Sequence, residues 1–586
     1  MLNHRVRVLA AMVSAADFPR AGRCEAGFVA HLPGEPSGQR YVSIRRIRRL
    51  ISAMAVAGGL LMIAAEPGAL GSPSLGQQGG TFRIAFSREE QLDHIDPALA
   101  NTQASWSLLD AVCARLMTYP DKPPPAAFRI VPEVASAYPR VSRDLKTYTF
   151  TLKNTFRFGN GSPVRANAFE HAINRTLTKG VDSPGAQYTR NIVGADDVLA
   201  GRKSKASGVT AHGNRLVVRL KRPVADFPAW TTMPYFCAVE PRLPSDPEGK
   251  TTFRSAGPYD VADYLPGQRI VLERNRLYRG NRPHHVERFE VDLQAYSAPE
   301  LLDRIEHGQV DWGIAPPFNF FLSDQRLVAK YGVNKTQFWV KPGFTFRGFV
   351  LNTARPLFRD NIRLRKAVNF ALDRSLMLQN AGGAVAARAT DQYLPPSLPG
   401  FKNAQIYPLV RPNLAKAQSL AKGQTRSGKA ELYIYNLPVT MALGQILKQN
   451  LKAIGLDVNI QGIPVLAYPG RVARRDFDIA FMVSPSVDYY DPYPYLNLSF
   501  DSRFIGETNL SAFNSPKYDR LLRRAALLPG QTRYQAYGKL DVQLAREEAP
   551  IAAVSYLKEP TLVSDRVSVR CMILRPALDI TAACLK

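Results

Sequence analysis

Apolar and polar positions between residues 345 and 525 follow two periods, one of about two residues and one of about 3.6 residues, that alternate along the chain. The shorter period predicts strands, and the longer one predicts helices with one buried face. Strands are predicted at 347–351, 432–435 and 456–460, and helices at 361–377 and 441–454. This alternation indicates an α/β unit with a largely parallel sheet.

The chain before residue 345 has shorter apolar segments separated by polar turns. An alternating strand is predicted at 79–86, and helices are predicted at 105–117 and 165–178. Residues 146–158 are typical of a β-hairpin, because Tyr148, Phe150 and Leu152 share one face and a polar turn follows.

The segment 477–500 predicts a strand that ends in a loop rich in tyrosine and proline. The loop after Ser484 contains two carboxylates and several aromatic rings, among them Asp488, Tyr489, Tyr490, Asp491 and Tyr493. A carboxylate among aromatic rings suits an ammonium group, which receives a charge-assisted hydrogen bond and cation–π support. Taken alone, the same residues also fit an ordinary surface turn.

Length and charge limit the class of protein. A chain of 586 residues that is 45% hydrophobic predicts two or three domains. The net charge is +27, yet basic runs interleaved with aromatic residues are missing, so no nucleic-acid partner is predicted. The basic run 45–49, the apolar stretch 50–65 and the small residues after it are typical of a secretory signal peptide, with a membrane anchor as the alternative. We expect cleavage near residues 65–72.

The cysteines are consistent with export. Cys24 precedes the predicted signal peptide, which leaves four cysteines in the mature chain. Their spacing matches no zinc site, and an oxidising compartment favours disulfides. Three pairings are possible. We prefer Cys571 with Cys584, which closes a short loop, and this leaves Cys113 with Cys237.

Enzyme motifs are weak. Ser419 and Lys422, and likewise Ser555 and Lys558, have Ser-x-x-Lys spacing, but the companion motifs of that enzyme class are absent from the sequence. The pair His284-His285 offers no third metal ligand at a useful spacing. The sequence therefore predicts neither catalysis, nor a metal site, nor a cofactor.

Five blocks of sequence resemble, in the right order, the extracytoplasmic solute-binding proteins of peptide-type ABC importers, solute-binding family 5. The first contains a tyrosine-led strand, a Phe-Gly-Asn-Gly-Ser-Pro turn and a helix. The second contains Gly-Pro-Tyr and Ile-Val-Leu-Glu-Arg-Asn, and the third contains Asn-Thr and Pro-Leu-Phe-Arg-Asp before a helix. The blocks lie at 148–177, 256–283, 349–378, 446–461 and 477–522.

The resemblance implies an α/β fold of the two-lobed periplasmic-binding-protein type (cluster C), with an extra small domain and a hinge between the lobes. The expected parts are an extension and signal peptide (1–70), lobe I in three segments (79–118, 238–342 and 553–586), a small inserted domain (119–237) and lobe II (343–552).

The resemblance also implies a function and a site. Asp488 matches the aspartate that binds the α-amino group in peptide-binding members, and Tyr489, Tyr490 and Tyr493 are expected beside it. The basic residue that holds a peptide carboxylate in some members has no clear counterpart. We expect an exported, monomeric, non-catalytic receptor at the periplasm or outer face of the envelope, which delivers a di- or oligopeptide to ABC permease subunits. A receptor for a nickel chelate or sugar is the alternative, and a secreted hydrolase is a weaker one.

Overall fold

The computed structural model describes residues 79–88, 92–248, 252–314, 325–484, 488–568, 571 and 580–586. The predicted extension and signal peptide at 1–70 lie outside the described residues. The chain begins with one strand and one helix: β1 (Thr81–Ser87) and α1 (Gln103–Val112). The Thr102 side chain caps α1 by accepting a hydrogen bond from the Ser105 N–H, and the helix ends five residues before the predicted end.

The chain then forms a small domain, the name used here for residues 119–237. Its antiparallel sheet has the order β4-β5-β7-β6. Its elements, with the short β2 that precedes it, are β2 (Met117–Thr118), β3 (Val131–Pro132), β4 (Arg140–Val141), β5 (Thr147–Thr151), α2 (Ala166–Arg175), α3 (Ala186–Thr189), α4 (Ala195–Leu199), β6 (Val209–His212), β7 (Arg215–Arg219) and α5 (Phe227–Trp230).

The predicted hairpin at 146–158 is wrong. Strand β5 pairs with β4 and with β7, whereas Phe156 and Phe158 lie outside any strand. All the apolar side chains of the segment are nevertheless buried in one core, so the pattern located the buried face correctly. It could not identify the partner strand, because β7 lies more than sixty residues further along the chain.

The chain returns to β1 to complete a five-stranded sheet of order β11-β1-β10-β9-β8, in which β1 is parallel to both neighbours. The added elements are β8 (Tyr259–Leu265), β9 (Arg269–Arg274), β10 (Arg288–Tyr296), α6 (Ala298–Glu306), β11 (Trp312–Ile314) and α7 (Gln325–Tyr331). The chain's end joins this unit, the first lobe, because Ser564 and Arg566 both bind the buried carboxylate of Asp311.

The second lobe is built on a six-stranded sheet of order β13-β17-β12-β16-β14-β15. Its elements are β12 (Phe338–Leu351), α8 (Ile362–Ala371), α9 (Arg374–Asn380), α10 (Gly383–Ala386), β13 (Ala387–Ala389), α11 (Leu414–Ala421), β14 (Lys429–Tyr435), α12 (Pro438–Lys452), β15 (Asp457–Ile463), α13 (Tyr468–Ala473), β16 (Ile479–Val483), α14 (Tyr493–Phe500), α15 (Pro516–Ala526), α16 (Gly530–Gln543) and β17 (Ile551–Leu562).

Two expectations for this lobe need correction. The sheet is mixed, since β14 is parallel to β15 and β16 but β12 is antiparallel to β16 and β17. The helix predicted at 361–377 is two helices, because Asp373 caps a new helix by accepting from the Leu376 N–H. Strands β12 and β17 pair with each other along most of their length and contain positions 342/343 and 552/553, so the domain boundaries expected there stay a prediction.

The long connection after β13 packs closely against α16. A Cβ atom on Gly538 would lie 1.9 Å from the Gly400 carbonyl oxygen, so glycine is required for this approach. The buried carboxylate of Asp541 then accepts hydrogen bonds from the N–H groups of Tyr393 and Leu394. The helix is thereby fixed relative to the sheet.

Two disulfides are present: Cys113 is bonded to Cys237, 124 residues further along the chain, and Cys571 is bonded to Cys584, 13 residues further along. Cys113 follows the last residue of α1 directly, and Cys237 is the last residue of the small domain. The first bond therefore closes the small domain at its base. In the described part of the chain, no helix is both long and apolar enough to cross a membrane.

Candidate ligand-binding cleft

A cavity of about 710 Å³ lies between the small domain and the second lobe. The small domain contributes residues of α3 and α5 and of the segments beside them. The second lobe contributes Phe346 of β12, the end of β16, residues between Asp488 and Leu527, Tyr393, and Ile551 at the start of β17. Aromatic side chains dominate the lining: Tyr188, Trp230, Phe346, Tyr393, Tyr489, Tyr493, Tyr495, Phe500 and Phe504. Such a mostly apolar cleft with a few polar groups is typical of small-molecule sites.

The loop that reaches this cavity is held at both ends. At the end of β16, the Ser484 hydroxyl accepts from the Phe346 N–H at 3.0 Å, and the Ser484 N–H donates to the Phe346 carbonyl at 2.9 Å. At the other end, Asp491 accepts from the Tyr493 N–H at 2.8 Å, immediately before α14. Pro492 is the N-cap residue of that helix, so Asp491 accepts this bond within the turn that leads into α14.

Asp488 lines the cavity at the contact between the small domain and the second lobe. Its carboxylate accepts a hydrogen bond from the Tyr188 hydroxyl of α3. The Tyr188 ring lies 5.3 Å from the Trp230 ring and 6.4 Å from the Tyr489 ring, centroid to centroid. A carboxylate beside three electron-rich rings can bind an organic cation by a charge-assisted hydrogen bond and cation–π contacts.

The tyrosines of the loop have different surroundings. Tyr489 and Tyr493 line the cavity, and the ring of Tyr489 is buried in the hydrophobic core of the small domain. Tyr490 does not belong to the lining. Its ring packs 5.0 Å from the Phe128 ring and 4.9 Å from the Phe344 ring, centroid to centroid. Adjacent residues of an irregular loop point in different directions, and the sequence did not distinguish them.

A buried ion network connects the loop to both sides of the cleft. Arg533 of α16 donates to Asp491 through Nε at 2.9 Å and Nη2 at 2.8 Å, and its Nη2 lies 3.4 Å from the Asp226 carboxylate of the small domain. The Tyr489 hydroxyl donates to Asp226 at 2.6 Å. Asp226 and Arg533 were missed by the sequence analysis, because both lie far from the loop along the chain and neither has a distinguishing local motif.

Electrostatics within this network favour a charged arginine. Burial opposes the charge of Arg533, but Asp491 and Asp226 outweigh it and raise the arginine pKa above its ordinary value. Burial raises the pKa of Asp491, and Arg533 opposes that change. Burial also raises the pKa of Tyr489, helped by the charge of Asp226. One cation is therefore shared by two carboxyl groups, Asp491 and Asp226.

In the described part of the chain, no group of three or more His, Cys, Asp and Glu side chains is arranged to hold a metal ion. The His284 ring nitrogen Nδ1 lies 2.9 Å from the Arg282 carbonyl oxygen, and the ring packs against Tyr278. Ser555 of the second Ser-x-x-Lys pair is buried in the sheet.

Comparison with known proteins identifies the family. Residues 129–507 match the model described as bacterial extracellular solute-binding proteins, family 5 Middle, which is more than half of the chain. The chain belongs to this family. The resemblance inferred from the five sequence blocks is thus confirmed, and so is the two-lobed α/β fold.

Relatives within solute-binding family 5 are distant but cover most of the chain. The oligopeptide-binding protein OppA of Bacillus subtilis is 24% identical over 72% of this chain and 79% of its own length. The dipeptide-binding protein DppE of the same organism is 25% identical over 86% of this chain and 92% of its own length. Among solved structures, the clavulanic acid biosynthesis oligopeptide binding protein 2 superposes with a TM-score of 0.75 at 22% identity, covering 87% of this chain and 96% of its own.

Proposed function

We propose that this protein captures a di- or oligopeptide in the cleft between the small domain and the second lobe and delivers it to the permease of an ABC importer. One observation carries the proposal: Asp488 lines the cavity together with the rings of Tyr188, Trp230 and Tyr489. The peptide's α-ammonium group replaces the Tyr188 hydroxyl as the partner of Asp488. Tyr489 and Tyr493 contact the first residues of the peptide.

The size and lining of the cavity support this ligand class. A volume of about 710 Å³ falls within the range of small-ligand sites, roughly 300–1,000 Å³. The relatives named above bind dipeptides or oligopeptides, and extended peptides gain affinity from main-chain hydrogen bonds that do not depend on side-chain identity. Aromatic walls then accept varied side chains.

We propose that ligand capture requires a change of conformation but no catalysed reaction. The loop 488–491 contacts the small domain in this structure, as in the hydrogen bond from the Tyr489 hydroxyl to Asp226. We propose that such contacts couple ligand binding to closure of the cleft. We propose that the protein is an exported, monomeric receptor without catalytic activity, cofactor or nucleic-acid partner. The closed form is what the permease recognises.

Calorimetric titration with the tripeptide Ala-Phe-Ala tests the proposal. Asp488→Asn keeps the shape of the side chain and removes its charge, so it should weaken binding at least about tenfold, since loss of a buried charge partner costs more than 1.4 kcal/mol. The melting temperature should change by less than about 4 °C. Asp457→Asn, an exposed position on β15, is the matched control and should bind like the unmodified protein. Equal affinity of Asp488→Asn and the unmodified protein would contradict the proposal.

A further inference from the structure

Two helices of the second lobe, α8 and α11, lie side by side and expose one common surface. The Asn413 N–H, just before α11, donates to the Phe370 carbonyl near the end of α8 at 2.9 Å. Near the start of α8, Arg363 donates through Nη2 to the Ser419 carbonyl of α11 at 3.1 Å. The two helices are therefore antiparallel neighbours, and their exposed residues belong to one continuous surface.

This surface is rich in positive charge. Arg426 donates through Nη2 to the Arg359 carbonyl at 2.8 Å, which joins the turn after α11 to the turn before α8. We use the name basic face for the exposed residues of the segments 359–372 and 409–428. Asp360 is the one carboxylate in the sequence of these segments. The exposed cations of the basic face are Arg359, Arg363, Arg411, Lys416, Lys422 and Arg426.

The cations of the basic face are not neutralised by the protein itself. None of them has a carboxylate within salt-bridge distance among the residues that the structure describes. On the small domain, by contrast, exposed Arg202 lies 2.7 Å from Asp197, and exposed Lys205 lies 2.9 Å from Glu170. A cluster of unpaired cations creates a local positive potential that attracts an anionic partner.

Two apolar side chains protrude from the same surface. Val410 is 67% exposed, and Leu414, the first residue of α11, is 39% exposed. Val410 directly precedes Arg411, and Leu414 lies two residues before Lys416, so apolar and basic groups alternate there. A soluble polyanion would bind only the charges. The interface of an anionic bilayer binds both, because phosphate groups lie above hydrocarbon.

The basic face lies on the opposite side of the sheet from the ligand cleft. Leu364 of α8 and Ala417 of α11 share a hydrophobic core with Phe349 of β12. Phe346 of β12, which lines the cavity, belongs to a different core on the other side of the sheet. None of the six cations lines the cavity. A partner bound to the basic face therefore leaves the cleft accessible.

We propose that the basic face docks this protein on the surface of a bilayer that contains anionic phospholipids. Its arginines and lysines bind headgroup phosphates, and Val410 and Leu414 insert between the headgroups. Each basic residue near such a surface contributes about fivefold in affinity, equivalent to about 1 kcal/mol, so several together give reversible binding without a spanning helix. The inference goes beyond the proposed function and does not depend on it, since docking requires no peptide.

The experiment measures sedimentation of the exported protein with lipid vesicles. The vesicles contain phosphatidylcholine alone, or phosphatidylcholine and phosphatidylglycerol at roughly two to one. Binding is measured in about 0.1 M and about 1 M sodium chloride, where charges are screened over about 10 Å and about 3 Å. The unmodified protein is compared with Lys416→Gln/Lys422→Gln and with Val410→Ser.

A matched control separates the basic face from the net charge of the protein. Lys335→Gln/Lys539→Gln removes the same charge at two exposed lysines outside the basic face, and Lys539 lies on α16, on the cleft side of the sheet. Neither lysine has a carboxylate within salt-bridge distance in the described ranges. Any contribution of the segment 50–65 is the same in every variant.

The unmodified protein should bind the mixed vesicles at least about tenfold more tightly than the phosphatidylcholine vesicles at the lower salt concentration, and this preference should disappear at the higher one. Lys416→Gln/Lys422→Gln should weaken binding at least about tenfold, and the control less than about twofold. Val410→Ser should weaken it about threefold, because an apolar side chain is lost from the interface. The affinity of Lys416→Gln/Lys422→Gln for Ala-Phe-Ala should equal that of the unmodified protein.

Three results overturn the inference. The first is equal binding to the two kinds of vesicle. The second is an equal loss in Lys416→Gln/Lys422→Gln and in the control, which would assign the attraction to net charge. The third is an unchanged affinity of Val410→Ser together with displacement by soluble polyphosphate at equal phosphate concentration, which would identify a soluble polyanion as the partner. Failure of Ala-Phe-Ala to bind, with the expected vesicle results, would refute the proposed function and support the docking surface.

Discussion

Replacing Arg533 by methionine should destabilise the protein strongly, because it removes the one cation shared by two buried carboxylates. Methionine preserves most of the arginine stem but none of its donors. Among the described residues, Asp491 would keep only the Tyr493 N–H at 2.8 Å, and Asp226 only the Tyr489 hydroxyl at 2.6 Å. Removing one partner of a buried ion pair costs about 3–5 kcal/mol, since the other charge remains without solvent or partner.

This loss should be measured by thermal unfolding followed by circular dichroism. For a lobe of this size, about 3–5 kcal/mol corresponds to a decrease in melting temperature of roughly 10 °C. Without Arg533, burial should raise the pKa of Asp491 even further above its unfolded value. The folded variant then binds more protons than the unfolded chain, so its stability falls as the pH rises above about 4. The loss should therefore be larger at pH 8 than at pH 5.

Two comparisons make the result decisive. Arg520→Met, at an exposed position, should change the free energy of unfolding by less than about 0.5 kcal/mol. Adding Asp491→Asn to Arg533→Met removes one of the two unpaired charges and should restore part of the stability. A melting temperature within about 2 °C of the unmodified protein, or an equal loss at pH 5 and pH 8, would refute the role of the shared cation.

Two further predictions concern other buried charges. Arg347→Met should raise the free energy of unfolding by about 1–3 kcal/mol in urea melts, because burial lowers the Arg347 pKa to about 10 and its side chain hydrogen-bonds to no described acceptor. Arg374 is equally buried but donates to several carbonyl oxygens, including that of Ala553 at 2.8 Å. Arg374→Met should therefore lower the free energy of unfolding by more than about 3 kcal/mol. A change of the same sign in the free energy of unfolding of both variants would contradict this reasoning. Burial raises the pKa of the Asp541 carboxyl group to about 7, above its unfolded value of 3.8. The free energy of unfolding of the unmodified protein, relative to that of Asp541→Asn, should therefore fall between pH 4 and pH 7. A difference between the two proteins that does not change with pH would disprove this.

The sequence determined most of the local structure of the second lobe. The strands β14 and β15 and the helix α12 lie where periodicity predicts them, because the spacing of apolar residues fixes which face of an element is buried. It also located the loop after β16, since the strand pattern ends at Ser484 and a cluster of charged and aromatic residues follows. The resemblance to solute-binding family 5 was needed to single out Asp488 from Asp491 within this cluster.

Only the tertiary structure decided which elements and side chains meet. Periodicity does not specify a partner, so the pairing of β5 with β7 and the mixed direction of the second-lobe sheet could not be predicted. The same holds at the cleft, where Tyr489 meets Asp226 across 263 positions of sequence and Arg533 meets Asp491 across 42. Such contacts depend on how the domains pack against each other, and the local spacing of residues along the chain does not determine that packing.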